Sequence, residues 1–208
     1  MLRNLIGVNG VLFLLFLFAH GCCVYTKVRC SLGLLKSRSA PPAIHYLRSM
    51  QKVLFLDRDG VINHDPGDYT CNWESFEFLP GVFETLRQLR DKGWRFVVIT
   101  NQGGIARGRY TLDDFLRTDK LMHARFLEEN IPMLETFFCP HHPETGLCLC
   151  RKPNSLLVEK ALHKYKLPAE HCRMVGDKHR DIECAGGAGV KGILMPTNGA
   201  LADYVGNL

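Results

Sequence analysis

Charge is missing from the first stretch of this chain and close to balanced in the rest. Between Arg3 and Lys27 there is no Asp, Glu, Lys or Arg, and over the whole sequence 26 basic residues stand against 21 acidic ones, a net charge of +5. The basic residues are scattered and form no stripe interleaved with aromatics, which argues against a nucleic-acid-binding surface. The small cationic surplus does suit an anionic substrate. No internal repeat is present, so solenoids and propellers are excluded. Neither the span from Gly60 to Gly81 nor that from Thr100 to Cys139 holds an insertion large enough for a lid domain. Any site must therefore lie open and be shaped by loops.

What is present suffices for one domain and an extension. At 208 residues, 46% hydrophobic and 23% charged, the chain can bury a sizeable core. The expected domain is residues 50–208, preceded by a hydrophobic extension and linker over 1–49. Within that extension Val11 to Ala19 is almost pure Leu and Phe, and the uncharged stretch is long enough for a membrane helix or a signal peptide. Ala19-His20-Gly21-Cys22 lacks a clean small-x-small cleavage pattern. Lys27, Arg29, Lys36 and Arg38 outnumber Arg3, an asymmetry that would keep a downstream domain in the cytoplasm. Met50-Gln51-Lys52 stands where a compact enzyme would begin. Three readings stay open: a membrane anchor, a cleaved signal, or an upstream segment that the working protein does not carry. Ser37 to Pro42 reads as a linker in all of them.

Hydrophobic periodicity then alternates between strand and helix. Val53 to Leu56 is a short apolar run, as expected of a buried strand. Val61 to Phe78 has no sustained period and reads as a loop. Val82, Leu86 and Leu89 share a helix face that Lys92-Gly93 closes. Trp94 to Thr100 is a second strand, Thr111 caps a helix running to about Asn130, and Leu134 to Phe138 is a third strand. A helix from about Asn154 to Lys166, a strand at Cys172 to Gly176, a helix from Asp181 to Ala188 and a strand at Val190 to Met195 complete the pattern. Strands joined by helices predict an α/β fold on a three-layer, Rossmann-like parallel sheet.

Polar residues stand where these strands end: Asp57 and Asp59 after the first, Thr100, Asn101 and Gln102 after the second, and Asp177 after the fourth. Ligands bind at that edge of an open α/β sheet. The i, i+2 spacing of Asp57 and Asp59 points both carboxylates to one side of extended chain, where they can share a cation or a phosphoryl group, and Gly60 lets the backbone turn away. Gly103 to Arg109 is a glycine-rich basic loop. Cys139, Cys148 and Cys150 lie with His141 and His142 inside twelve residues, a clustering that favours metal over disulfides. Three thiolates and one imidazole fit a closed structural Zn²⁺ site with no position left for catalysis. Such a site would pin a short polar loop and set Arg151 and Lys152 at the rim.

Asp57-Arg58-Asp59-Gly60, Thr100 after Val97-Val98-Ile99, Arg151-Lys152-Pro153 and Gly176-Asp177-Lys178 with Asp181 resemble the four ordered signatures of the haloacid dehalogenase-like phosphatases. Asn101 to Gly108, Cys139-Pro140-His141-His142-Pro143 and the Cys148 to Pro153 segment look like the D-glycero-D-manno-heptose 1,7-bisphosphate 7-phosphatases within that superfamily. The resemblance implies Mg²⁺ held by Asp57, the Asp59 backbone carbonyl and Asp177, with Asp57 as nucleophile and Asp59 as general acid and base. It implies that Thr100 and Lys152 hold the phosphoryl oxygens. It implies substrate contacts from Asp65, Tyr69, Asn101, Gln102, Gly103, Arg151 and Lys178, and it selects His141 over His142 as the zinc ligand. Asp181 reads as a helix-start carboxylate behind the metal ligands, and Arg107 and Arg109 as solvated charge near the site.

Two departures bear on the substrate. The span from His141 to Cys148 is closer to that of histidinol-phosphate phosphatases, and the Asp65 to Tyr69 loop carries an extra residue. The expectation is a cytoplasmic monomer that removes the 7-phosphate of the heptose bisphosphate during surface-polysaccharide precursor synthesis. Membrane contact would come only through residues 1–49. The competitors are a histidinol-phosphate or other small sugar-phosphate phosphatase, and a catalytically silent zinc-pinned binding module.

Overall fold

The computed structural model describes residues 52–206 and 208, together with the backbone of two strands near the N-terminus, Leu5–Val8 (β1) and Val11–Leu14 (β2). The chain divides into two units, 1–41 and 42–208. In the first, β1 and β2 pair antiparallel. The rest of the hydrophobic run and the Ser37 to Pro42 linker lie outside the described residues. Among the described residues no helix is long and apolar enough to cross a membrane.

The second unit is built on a five-stranded, wholly parallel sheet. Its strands are Lys52–Leu56 (β3), Trp94–Asn101 (β4), Met133–Cys139 (β5), Cys172–Gly176 (β6) and Lys191–Leu194 (β7), in the spatial order β5-β4-β3-β6-β7. The helices are Val82–Asp91 (α1), Leu112–Glu128 (α2), Leu156–Tyr165 (α3), His179–Gly187 (α4) and Ala202–Val205 (α5).

The central strand β3 shows why three layers form. Its side chains alternate between two cores, as the pleat requires. Leu54 and Leu56 pack with Val82, Leu86 and Leu89 of α1 and with Met122 and Phe126 of α2. Val53 and Phe55 pack with Leu157, Val158 and Ala161 of α3 and with Cys184 and Ala185 of α4. All four β3 apolar residues are fully buried, which accounts for an uninterrupted apolar run where a one-sided sheet would alternate.

The helix boundaries follow from local chemistry. Thr111 caps α2 as expected: its hydroxyl accepts from the Asp114 N–H at 3.1 Å while the Asp114 carboxylate accepts from the Thr111 N–H at 2.9 Å. Helix α4 begins at His179, two residues before the position expected, because the Asp181 carboxylate reaches back to the Lys178 N–H at 3.0 Å. Helix α5 was not expected, since four residues are too few to display a period; it is anchored by buried Leu201 and Val205.

Strands β4 and β6 flank β3 on opposite sides, so the direction of winding reverses there. The C-terminal end of β3, where Asp57 stands, is the switch point at which such sheets open a crevice.

Candidate active site

Register places the strand ends together. Leu56 pairs with Val98 of β4 and with Val175 of β6, and the Asp57 N–H donates to the Val175 carbonyl at 3.0 Å. Lys152 reaches this rim from the loop before α3. Its backbone is clamped by the Asn101 side chain, which accepts from the Lys152 N–H at 3.0 Å and donates to the Lys152 carbonyl at 3.1 Å. The Lys152 ammonium donates to the Ile99 carbonyl at 2.8 Å and forms ion pairs with Asp57 at 2.8 Å and Asp181 at 2.7 Å.

These groups are buried, and burial sets their proton affinities. Burial pushes the Asp57 carboxyl up to about 7 against the pull of Lys152. Burial likewise opposes the charge on Lys152, yet Asp57 and Asp181 outweigh it and hold the ammonium above the ordinary lysine range.

Asp59 has the opposite setting. Burial disfavours its charge, but Arg58 and hydrogen bonds from Asn63 and Gln102 outweigh it and hold the carboxyl below its ordinary range. Arg58 Nη2 lies 3.0 Å from each Asp59 oxygen, Asn63 Nδ2 donates to Oδ1 at 3.0 Å, and Gln102 Nε2 donates to Oδ2 at 3.1 Å. Gln102 also donates to the Thr100 hydroxyl at 2.8 Å and accepts from Tyr110 at 2.6 Å, so one amide links Asp59, Thr100 and α2's approach loop. Arg58 is 1% exposed, with its guanidinium 5.8 Å and 5.7 Å from the ring centres of Phe76 and Phe115.

Two clusters have the donor sets of metal sites. Carboxylate oxygens of Asp57, Asp177 and Asp181 lie within 4.8 Å of one another. Asp177 Oδ1 is buried with no hydrogen-bond partner, which is the opening a hard divalent cation would fill. Gly60 allows that approach: at φ +85° a Cβ there would stand 2.7 Å from Asp177 Oδ2. Asp181 is fully buried: its Oδ1, which makes no hydrogen bond, pairs with the Lys152 ammonium at 2.7 Å, and its Oδ2 accepts from the Lys178 N–H at 3.0 Å.

In the second cluster the ligand atoms of Cys139, His141, Cys148 and Cys150 also lie within 4.8 Å of one another. Cys139 Sγ is 3.6 Å from Cys148 Sγ and 3.6 Å from His141 Nδ1, and Cys150 Sγ is 3.4 Å from His141 Nδ1. Zn–S bonds of about 2.3 Å in a tetrahedron give edges near 3.8 Å, so this spacing fits zinc. His142 is turned elsewhere, accepting from the Glu144 N–H at 3.3 Å.

Beside the rim is a cavity of about 440 Å³. It is lined by Asp65, Tyr69, Asn101, Gln102, Gly103, Arg151 and Lys178, the residues expected to touch substrate, and by Asp59. Asp57, Thr100 and Lys152 are buried beside this lining, at 5%, 1% and 1% exposure. Several participants carried no sequence signal. Thr197 donates to Asp177 Oδ2 at 2.6 Å, and Asn198 bonds the Asp65 backbone on both sides at 2.7 Å and 3.0 Å. Only folding brings residues 133 positions apart into that contact. Arg58 could have been noticed as an arginine between two acids. Arg107 and Arg109 are tied to the loops around the cavity, Arg107 to Glu144 at 3.5 Å and Arg109 to Asp68 at 2.9 Å.

Acid, hydroxyl and ammonium converging at the switch point of a parallel sheet, with an oxygen-rich cation site, define a phosphoryl-transfer type of centre. The HAD-hydrolase-like family model matches residues 149–205. The D-glycero-beta-D-manno-heptose-1,7-bisphosphate 7-phosphatase of Haemophilus influenzae is 37% identical over 169 residues, covering 75% of this chain and 91% of that protein. The D-glycero-alpha-D-manno-heptose-1,7-bisphosphate 7-phosphatase of Burkholderia mallei is 41% identical over 150 residues, covering 69% and 79%. Among solved structures, the D,D-heptose 1,7-bisphosphate phosphatase of B. bronchiseptica, complexed with magnesium and phosphate, matches with a TM-score of 0.65 and 31% identity over 69% of this chain and 80% of that one. The chain belongs to the heptose 1,7-bisphosphate 7-phosphatase family of the haloacid dehalogenase-like hydrolases.

Proposed function

We propose that this protein hydrolyses the 7-phosphate of D-glycero-D-manno-heptose 1,7-bisphosphate. The observation that carries the reading is the buried Asp57–Lys152 pair, 2.8 Å apart at the switch point, beside a cavity rich in cations. Identity of 37% to a relative of that name, matched over 91% of its length, supports the substrate.

Asp57 attacks phosphorus, and the bond from phosphorus to the sugar oxygen breaks. Two like charges near 4 Å repel by about 4 kcal/mol at an effective dielectric of 20, so attack on a dianion needs cations already in place. Lys152 is such a cation, buried and held charged by its two carboxylates. Asp57, Asp177 and the Asp59 carbonyl would hold Mg²⁺, which supplies further charge neutralisation at the transferring group. The phosphate's own charge raises the proton affinity of Asp59, countering Arg58, so that Asp59 delivers a proton to the departing sugar oxygen. In the second half water attacks phosphorus, the Asp57 acyl-phosphate bond breaks, and Asp59 takes the water proton. The Thr100 hydroxyl orients an equatorial oxygen.

Zn²⁺ on Cys139, His141, Cys148 and Cys150 would be structural, tightening the loop that leads into Arg151 and Lys152. The same reading takes residues 50–208 as the phosphatase domain, monomeric and cytoplasmic, with 1–49 as an extension outside the chemistry. The test is kinetic: both anomers of the heptose bisphosphate are assayed beside histidinol phosphate with Mg²⁺ present. The expected result is kcat/KM highest for a heptose bisphosphate; a higher value for histidinol phosphate overturns the substrate.

A further inference from the structure

Charge accounting around the cavity leaves two cations without a carboxylate among the described residues, Arg151 and Arg180. Five cations line it: Arg58, Arg107, Arg151, Lys178 and Arg180. Three of them already face carboxylates, Arg58 with Asp59 at 3.0 Å, Arg107 with Glu144 at 3.5 Å and Lys178 with Asp177 at 2.9 Å. Arg151 faces no carboxylate, but its guanidinium is already engaged by the His141 carbonyl at 3.0 Å. The Arg180 guanidinium is exposed and has no hydrogen-bond or ion-pair partner among the described residues. It stands on the first turn of α4, three residues beyond Asp177, so it belongs to the same rim as the candidate metal site. The His179-Arg180 pair lies between the Gly176-Asp177-Lys178 signature and Asp181, and nothing in the reaction described above uses it.

We propose that Arg180 is a specificity-determining residue that binds the phosphate of the substrate that is not transferred, and so favours bisphosphorylated over monophosphorylated sugars. The proposal rests on the phosphatase reading above. The transferred phosphate is served by Asp57, Thr100 and Lys152, which are buried beside the cavity. A second phosphate on the same sugar must lie further out, where the unneutralised charge is. A planar guanidinium with free N–H groups matches two phosphate oxygens at once, and a lysine there would match only as a point charge.

The experiment compares wild type with Arg180→Gln, Arg180→Lys and Arg180→Glu on heptose 1,7-bisphosphate and on p-nitrophenyl phosphate, which has no second phosphate. Arg117→Gln serves as control, an exposed arginine of α2 that does not line the cavity. Arg180→Gln is expected to raise KM for the bisphosphate about tenfold relative to that for p-nitrophenyl phosphate, equivalent to about 1.4 kcal/mol, with kcat retained. Arg180→Lys should lose less and Arg180→Glu more. Equal effects of Arg180→Gln on both substrates, or no effect on either, overturn the inference alone. A wild type that hydrolyses p-nitrophenyl phosphate but not the bisphosphate overturns the functional reading and the inference together.

Discussion

Asp57 is where burial and charge compete most directly. Its carboxyl, raised from an ordinary 3.8 to about 7, keeps its proton through mildly acid conditions unless a cation displaces it. With Asp57 as a proposed Mg²⁺ ligand, proton and metal would compete for one group, and magnesium affinity should fall about tenfold per pH unit below 7 and level off above it. Calorimetric titration of metal-free protein at pH 6 and pH 8 measures this, with tighter binding expected at pH 8. The sign for stability is opposite: the folded state prefers the protonated acid more than the unfolded chain does. This contribution is present below about pH 4 and is lost as pH rises through about 7 in the absence of metal. Asp57→Asn removes the proposed nucleophile while keeping the shape, and should lower kcat by at least about a thousandfold with the melting temperature changed by a few degrees at most. Turnover retained within tenfold would take the nucleophile away from Asp57. The acids at 57 and 59 were legible from their spacing, whereas the arginine between them was legible only as their neighbour. Its importance comes from Phe76 and Phe115 packing around its guanidinium and from the Asp59 carboxylate it shares with Asn63 and Gln102, contacts that no local pattern encodes.

At the scale of elements, the loop between β5 and α3 is the unit whose order the proposed zinc would supply. Leu147 is 100% exposed and Leu149 is 78% exposed, so this loop has little core of its own to hold it. Arg151 is nevertheless fixed by the His141 carbonyl at the start of the loop at 3.0 Å, and Lys152 by Asn101 at the end of β4 at 3.0 Å. Stripping the zinc with a strong chelator should release one equivalent of metal, seen with a colorimetric indicator. It should also raise KM about tenfold or more while the sheet's circular dichroism persists. A KM unmoved by complete zinc loss would detach the loop from substrate binding. The five strands of the parallel sheet and helices α1 to α4 were legible to within a few residues because their periods are written in apolar side chains, whereas α5 was too short to show one. The loops at Asp65–Thr70 and Gly103–Tyr110 were legible only as composition, since their positions depend on distant partners such as Asn198.

For the whole molecule, strand order explains why so much of the site was readable in advance. In a parallel sheet every strand points its C-terminus the same way, so polar residues after separate apolar runs must share an edge. What that rule omits are groups that reach the site from outside the strand ends, Arg180 lining the cavity from α4 and Thr197 bonding Asp177 from a segment after β7. Deleting residues 1–49 should leave kcat/KM within about twofold, because the rim groups found among the described residues lie in 52–208. A larger fall, measured on both lengths side by side, would give the extension a part in catalysis. Finally, the cavity walls are joined to one another by pairs that face water: Asp68 with Arg109 at 2.9 Å and Arg107 with Glu144 at 3.5 Å. Such pairs are worth about 0–1 kcal/mol and weaken as dissolved ions crowd around them. Brine should therefore slacken the mouth of the site while the sheet beneath stays firm, so that the breadth of the entrance is set by the surrounding solution as well as by the chain.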